Sequence, residues 1–147
     1  MLRVSKLTDY ATVVMGDLAR DAGHYHSAPD IAGRTGIALP TVSKVLKRLA
    51  HAGLVASARG AGGGYRLADA PRTISVGRVV RAFESSLGVT ECGAGAGVCA
   101  QESGCAIRPG WQRINQAVLA ALDGMTVADL LHPAHAAPVR PVPGARA

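Results

Sequence analysis

The stretch Pro40-Thr-Val-Ser-Lys-Val-Leu-Lys-Arg-Leu-Ala-His-Ala-Gly53, continued by Leu54-Val-Ala-Ser-Ala-Arg-Gly-Ala-Gly-Gly-Gly-Tyr-Arg-Leu67, decides the fold. Val42, Val45, Leu46 and Leu49 recur at helical spacing and predict a helix with one apolar face. Pro40 suits the first turn, where its missing N–H costs nothing. Gly53 suits the left-handed residue that closes a helix. The opposite face carries Thr41, Ser43, Lys44, Lys47, Arg48 and His51, a cationic surface with no carboxylate. Leu54–Arg59 and Tyr65–Leu67 then read as two strands joined by the glycine turn Gly60–Gly64.

Upstream, Ser27 with Asp30 three residues on resembles a capping box with Asp in place of Glu. It opens a short helix through Ile31 and Ala32 that stops near Gly36. Before it, Ala11, Val14 or Met15, and Leu18 predict a helix from Thr8 to Arg20. Helix, short turn and cationic helix form a helix-turn-helix, and a glycine-tipped hairpin after it forms a wing. The fold class is therefore mostly α with a small β-wing: a winged helix-turn-helix.

Downstream, Val76, Val79, Val80 and Phe83 predict a helix from Ser75 to Ser86. Periodicity is lost from Gly88 to Pro109. From Pro109 to Asp123, Trp111, Ile114, Val118, Ala121 and Leu122 lie along one stripe near seam spacing, so this helix is expected to be the long C-terminal dimerisation helix. Thr126-Val-Ala-Asp129 opens a last short helix ending near Leu131. From His132 onward Pro and Ala dominate, and disorder is expected. The expected organisation is a winged-helix DNA-binding domain over 1–86, a cysteine cluster-binding loop over 87–108, a dimerisation helix and short terminal helix over 109–131, and a disordered tail over 132–147.

The chain has 147 residues, 48% of them apolar but only 3% aromatic, so its core must come from Leu, Val, Ile and Ala. Residues 1–81 carry twelve Lys/Arg against five Asp/Glu, while residues 82–147 carry four against five. The excess positive charge thus lies wholly in the winged half, as expected where a protein meets double-stranded DNA. Thr41, Ser43, Lys44, Lys47 and Arg48 form the expected base- or phosphate-contacting set. Arg59 and Arg66 flank the wing tip, and Gly63 allows close approach of backbone to phosphate. Two copies related by two-fold symmetry would read a roughly palindromic operator.

No nucleophile–base constellation, no phosphate loop opening a helix and no catalytic carboxylate pair is present, so neither an enzyme nor a small-molecule substrate is expected. The chain opens on no apolar signal run and contains no apolar stretch of the roughly 18 residues a membrane helix needs. A cytoplasmic protein with no membrane partner is the expectation.

Cys92, Cys99 and Cys105 fall within fourteen residues, with six residues between the first two and five between the last two. An odd count in a reducing compartment argues against structural disulfides. Thiolates suit iron–sulfur clusters, zinc and copper(I). Zinc favours more closely spaced cysteine pairs, and the wider spacing fits a bulkier iron–sulfur cluster. Reactive thiols, a zinc site and incidental cysteines stay open on spacing alone. The alternative function is a thiol-redox or zinc-binding protein with no transcriptional role, which leaves the cationic helix and the wing unexplained.

Taken together, Leu2-Arg-Val-Ser-Lys-Leu-Thr-Asp-Tyr-Ala11, the helix-turn-helix, Arg59-Gly-Ala-Gly-Gly-Gly-Tyr-Arg-Leu67, the cysteine loop and Leu122-Asp-Gly-Met-Thr-Val-Ala-Asp-Leu130 resemble the Rrf2 family of winged-helix regulators over about residues 1–131. The opening residues are most similar to members that control SUF-operon iron–sulfur assembly. The resemblance implies a homodimer that regulates iron–sulfur assembly genes. It also implies an iron–sulfur cluster on Cys92, Cys99 and Cys105, with a 2Fe–2S form ranked ahead of a 4Fe–4S form. One coordination position is left open. In some members a histidine three residues past the last cysteine fills it. Here that position is Arg108, which has no free lone pair. In others an aspartate of the first helix, donated by the other subunit, fills it, and Asp9 stands in the matching context. Asp9 is therefore the implied fourth ligand. The plainer role for Asp9 is an acid favourable to the helix dipole, and Glu91 and Glu102 are local competitors.

Overall fold

Four helices begin by the same chemistry. Ser5, Ser27, Ser75 and Thr126 each accept, through the side-chain hydroxyl, the backbone N–H of the residue three positions on, all at 3.2 Å. This satisfies a donor that the helix start would otherwise orphan. In the computed structural model, which describes residues 4–132, these caps open α1 (Lys6–Ala19), α2 (Ala28–Thr35), α4 (Val76–Phe83) and α7 (Val127–Leu131). The helix α3 (Leu39–His51) instead has Pro40 in its first turn, and Gly53 follows its end at φ 69°. Residues 133–147, nearly all of the expected disordered tail, lie outside the described residues.

The first helix starts before the expected Thr8 because the Ser5 hydroxyl caps it through the Thr8 N–H, and a tertiary contact holds that cap. Glu84, at the C-terminal end of α4, accepts hydrogen bonds from the Ser5 backbone N–H (2.8 Å) and from the Thr8 hydroxyl. That clasp fixes Ser5 as the cap.

The apolar faces read from the sequence close on one another. Ala11, Val14, Met15 and Leu18 of α1, Ile31 of α2, and Val42, Val45, Leu46 and Leu49 of α3 are fully buried. Leu54, Val55, Leu67, Ile74, Val79, Phe83 and Val127 complete the core. The helix α1 packs against α2, α3, α4 and α7. Strands β1 (Val55–Ala58) and β2 (Gly64–Leu67) pair antiparallel with Val55 opposite Leu67 and Ala58 opposite Gly64. The far side of β2 is also held: His26 and Tyr65 exchange backbone hydrogen bonds of 2.9 and 2.8 Å. Gly64 sits at φ 136°, and a Cβ there would run into the His26 carbonyl. Only glycine allows that approach.

The aperiodic stretch contains one element that local periodicity does not reveal, the single turn α5 (Glu91–Ala94). It packs on α6 (Arg108–Gly124), which also packs on α4. A two-pronged Arg81–Asp123 pair, both contacts 2.6 Å, joins α4 to α6. The last helix, α7, carries a complete capping box on Thr126 and Asp129.

Two outcomes follow from these contacts. Gly64→Ala should lower stability by about 1–3 kcal/mol, seen as a lower urea midpoint at unchanged m-value. The hydrogen bonds from the Thr8 hydroxyl and then the Ser5 N–H hold Glu84 below the ordinary glutamate range. A carboxylate lowered by folding stabilises above its unfolded pKa and loses that contribution as pH falls through the folded value. Urea midpoints at pH 7 and pH 3 should therefore differ less for Glu84→Gln than for the parent chain.

Candidate nucleic-acid interface and cysteine segment

Burial of Val42, Val45, Leu46 and Leu49 fixes the roll of α3 and turns its other face to solvent. Lys44 and Lys47 are exposed there, with Thr41 and Ser43 half-buried beside them. Pro40, Ser43, Lys44, Lys47, Arg48 and His51 line a shallow open groove. Among the described residues, carboxylates pair with Arg34, Arg78, Arg81 and Arg108, and none pairs with Lys44, Lys47 or Arg59. Ala38, at the start of α3, has no side-chain acceptor. Pro40 carries no N–H and the Thr41 N–H donates to the Ala38 carbonyl at 2.9 Å, so this helix start offers no row of free N–H groups.

Arg48 is placed differently from its neighbours. Its Nε donates to the Ala82 carbonyl at 2.7 Å and its Nη2 to the Phe83 carbonyl at 3.2 Å. The guanidinium also lies 5.1 Å from the Phe83 ring centroid. These carbonyls belong to the last turn of α4, where a cation satisfies both the orphan acceptors and the helix dipole. Arg48 therefore ties α3 to α4. The helical pattern shows which face of α3 is polar, but not that α4 ends beside it.

In the wing, Arg59 is exposed just past β1. Arg66 sits at the base, its guanidinium 5.0 Å from the Tyr25 ring centroid. A Cβ at Gly63 would strike the Ala58 carbonyl, so Gly63 closes the turn as well as keeping it slim.

Cys92, Cys99 and Cys105 are free and each half-buried. Cys92 lies in α5 and the other two in the turns that follow. Asp9 is exposed in the first turn of α1. Among the described residues, no three His, Cys, Asp or Glu side chains are gathered so as to hold a metal ion; the single chain therefore does not assemble the expected ligand set. Glu102 accepts from the Gly97 N–H and from the Arg108 guanidinium, which commits this competing carboxylate. The Nε–H of Arg108 is buried with no acceptor among the described residues.

One residue of this region was not singled out from the sequence. Asn115 is the buried residue of α6. Its Oδ1 accepts from the Val89 N–H at 3.0 Å and its Nδ2 donates to the Gly93 carbonyl at 3.2 Å. It is one of three side-chain amides on α6, beside Gln112 and Gln116, so the sequence alone does not single it out.

A family profile described as "Rrf2: Iron-dependent Transcriptional regulator" matches residues 4–133. The chain belongs to the Rrf2 family. It is 36% identical over 143 residues to the HTH-type transcriptional repressor NsrR of Streptomyces coelicolor, spanning 96% of this chain and 93% of that protein. It is 36% identical over 126 residues to the HTH-type transcriptional regulator IscR of Aliivibrio salmonicida, spanning 83% and 73%. Among solved structures, CymR (YrzC), the global cysteine regulator of B. subtilis, aligns with a TM-score of 0.74 at 30% identity, covering 90% of this chain and 98% of that one. T. potens IscR aligns at 0.71 and 33% identity, covering 96% and 94%. This Rrf2-family chain is accordingly a winged-helix, DNA-binding transcription regulator and not an enzyme. Among the described residues no helix is long and apolar enough to cross a membrane.

The two kinds of cation on α3 should separate by mutation. Arg48→Ala should cost about 1–2 kcal/mol of stability by loss of helix-end hydrogen bonds and ring contact. Lys44→Ala should stay within about 0.5 kcal/mol. Urea titration of both variants checks this.

Proposed function

We propose that this Rrf2-family regulator works as a homodimer on a roughly palindromic operator, and that it senses through an iron–sulfur cluster. Cys92, Cys99 and Cys105 would hold the cluster, with Asp9 of the second copy as fourth ligand. The observation that carries the sensing reading is the state of the cysteines: three free, half-buried thiols within fourteen residues, the first of them on α5, which packs on α6. The donor chemistry fits. Three soft thiols suit iron and sulfide, and the buried Arg108 Nε–H finds no acceptor among the described residues. Arg108 cannot ligate and Glu102 is committed to it. Glu91, exposed in the first turn of α5, is as unengaged as Asp9, and Asp9 is preferred because its Leu-Thr-Asp-Tyr-Ala setting resembles that of the family's first-helix aspartate.

Dimer pairing is supported by α6. Within one chain it buries only Asn115, and Ile114 on its apolar stripe stays 48% exposed. DNA contact is assigned to Thr41, Ser43, Lys44 and Lys47 on α3 and to Arg59, Gly63 and Arg66 on the wing, with Arg48, on the same polar face, bracing α3 against the end of α4. When bound, the cluster would supply a centre whose ligands and charge change with iron supply, redox state or small reactive gases. Asp9 lies on α1, and α1 packs against α3. A change in ligation at Asp9 would therefore bear on the helix behind the DNA-reading one, which is a direct route from sensor to operator affinity. A second reading, direct oxidation of the thiols without a cluster, draws on their exposure and on the likeness to the cysteine regulator CymR.

Anaerobically purified protein should be brown and contain iron and acid-labile sulfide; zinc or no metal would favour the second reading. Asp9→Ala should shift the visible CD bands, and an unchanged spectrum at full iron content would remove Asp9 from the ligand set. Lys47→Ala and Arg59→Ala should each weaken operator binding and lower the slope of log affinity against log salt, by about one unit for each phosphate no longer neutralised. A gel-shift titration at several salt concentrations reads this directly.

A further inference from the structure

Asn115 does more than fill space on α6. Its side chain is one of the few buried polar ones, at 7% exposure. Both of its hydrogen bonds go to backbone on either side of a thiol: the Val89 N–H at 3.0 Å and the Gly93 carbonyl at 3.2 Å. Those two residues bracket Thr90, Glu91 and Cys92. The Thr90 hydroxyl lies 3.1 Å from the Cys92 sulfur. A Cβ at Gly93 would press on the Asn115 amide at 3.1–3.3 Å, and a Cβ at Gly88 would run into the Ala94 backbone. The turn over 88–94 is therefore drawn tight and seated on the amide. Only a side chain with an acceptor and a donor side by side can meet both partners.

The other two cysteines are held differently. The stretch that carries Cys99 is fastened through Glu102 to the Gly97 N–H and to Arg108. The Arg108–Glu102 pair is partly exposed, with side chains 32% and 19% accessible. The amide clasp reaches neither Cys99 nor Cys105.

We propose that Asn115 is the positioning residue of Cys92. It seats the 88–94 turn on α6 and so makes Cys92 the pre-set thiol of the three, to which Cys99 and Cys105 are brought. A pull on Cys92 then acts on α6 through the amide, one residue from Ile114 on the exposed stripe. The inference rests on the reading of the cysteines as the sensing site, and its test is separable from that reading.

The test uses the full chain free of iron. Each cysteine's rate of alkylation by iodoacetamide is followed by peptide mass mapping in the parent chain, in Asn115→Leu, which loses both hydrogen bonds, and in Asn115→Asp, which keeps the acceptor alone. Asn115→Leu should raise the Cys92 rate about tenfold, as expected when two buried hydrogen bonds no longer oppose local opening. Asn115→Asp should fall between it and the parent, and Cys99 and Cys105 should change by less than about twofold. If Asn115→Leu does not fold, the Asp variant decides by the same criterion: a rise confined to Cys92. An unchanged Cys92 rate, or three rates rising together, overturns the assignment. Iron and sulfide content of the parent chain is measured alongside. A cluster-free parent with the Cys92-specific effect intact would retire the cluster reading and leave the positioning role standing.

Discussion

Burial of the apolar face of α1 is the constraint on which the rest of the molecule hangs. Ala11, Val14, Met15 and Leu18 are wholly inaccessible, and α2, α3, α4 and α7 all pack against this one helix. Aliphatic side chains at helical spacing leave little freedom in such a core, because close packing resists both voids and rotation. The roll of α3, and with it the direction in which Lys44 and Lys47 face, is a consequence of that packing. So is the position of Asp9, which lies one turn into the same helix on its solvent side. On the proposed reading, in which α3 meets DNA and α1 receives the signal, no long relay is needed, because the two helices already share a core.

The elements around this core are secured by specific polar contacts. The Ser5–Thr8–Glu84 clasp ties the start of α1 to the end of α4. Arg48 ties the body of α3 to the same helix end. The end of α4 is thus held from two sides, just ahead of the segment that carries the cysteines. The wing is likewise fastened on both edges, by β1 and by His26. A hairpin held in this way keeps the exposed Arg59 at a fixed distance from α3.

Much of the fold could be read from local pattern. The spacing of Val42, Val45, Leu46 and Leu49, the serine and threonine caps and the Gly60–Gly64 turn each state their structure within a few residues, and the helices and strands stand close to where those signals put them. What could not be read was set by partners distant in sequence. The start of α1 rests on the local Ser5–Thr8 cap, but the grip of Glu84 on both residues comes from far along the chain. Arg48 serves the end of α4, although its position on α3 places it on the polar face. The single turn α5 was missed because four residues carry no period, and its docking depends on Asn115, more than twenty residues away. In the site itself, the three cysteines announce soft-ligand chemistry through their type and clustering. Their assembly into a ligand set is not written in one chain's local sequence, and among the described residues the chain alone does not gather them.

On the proposed reading, the state of the cysteine segment sets the affinity of α3 and the wing for DNA. It is tested most directly by operator-binding titrations on one anaerobic preparation, before and after chelation of its iron, beside a variant in which Cys92, Cys99 and Cys105 are all replaced by serine. At least about a fivefold difference in operator affinity is expected between the two forms of the parent chain, the lower end of typical coupling between sites, with the serine variant matching the iron-free form and indifferent to chelation. Identical affinities in all three would contradict it.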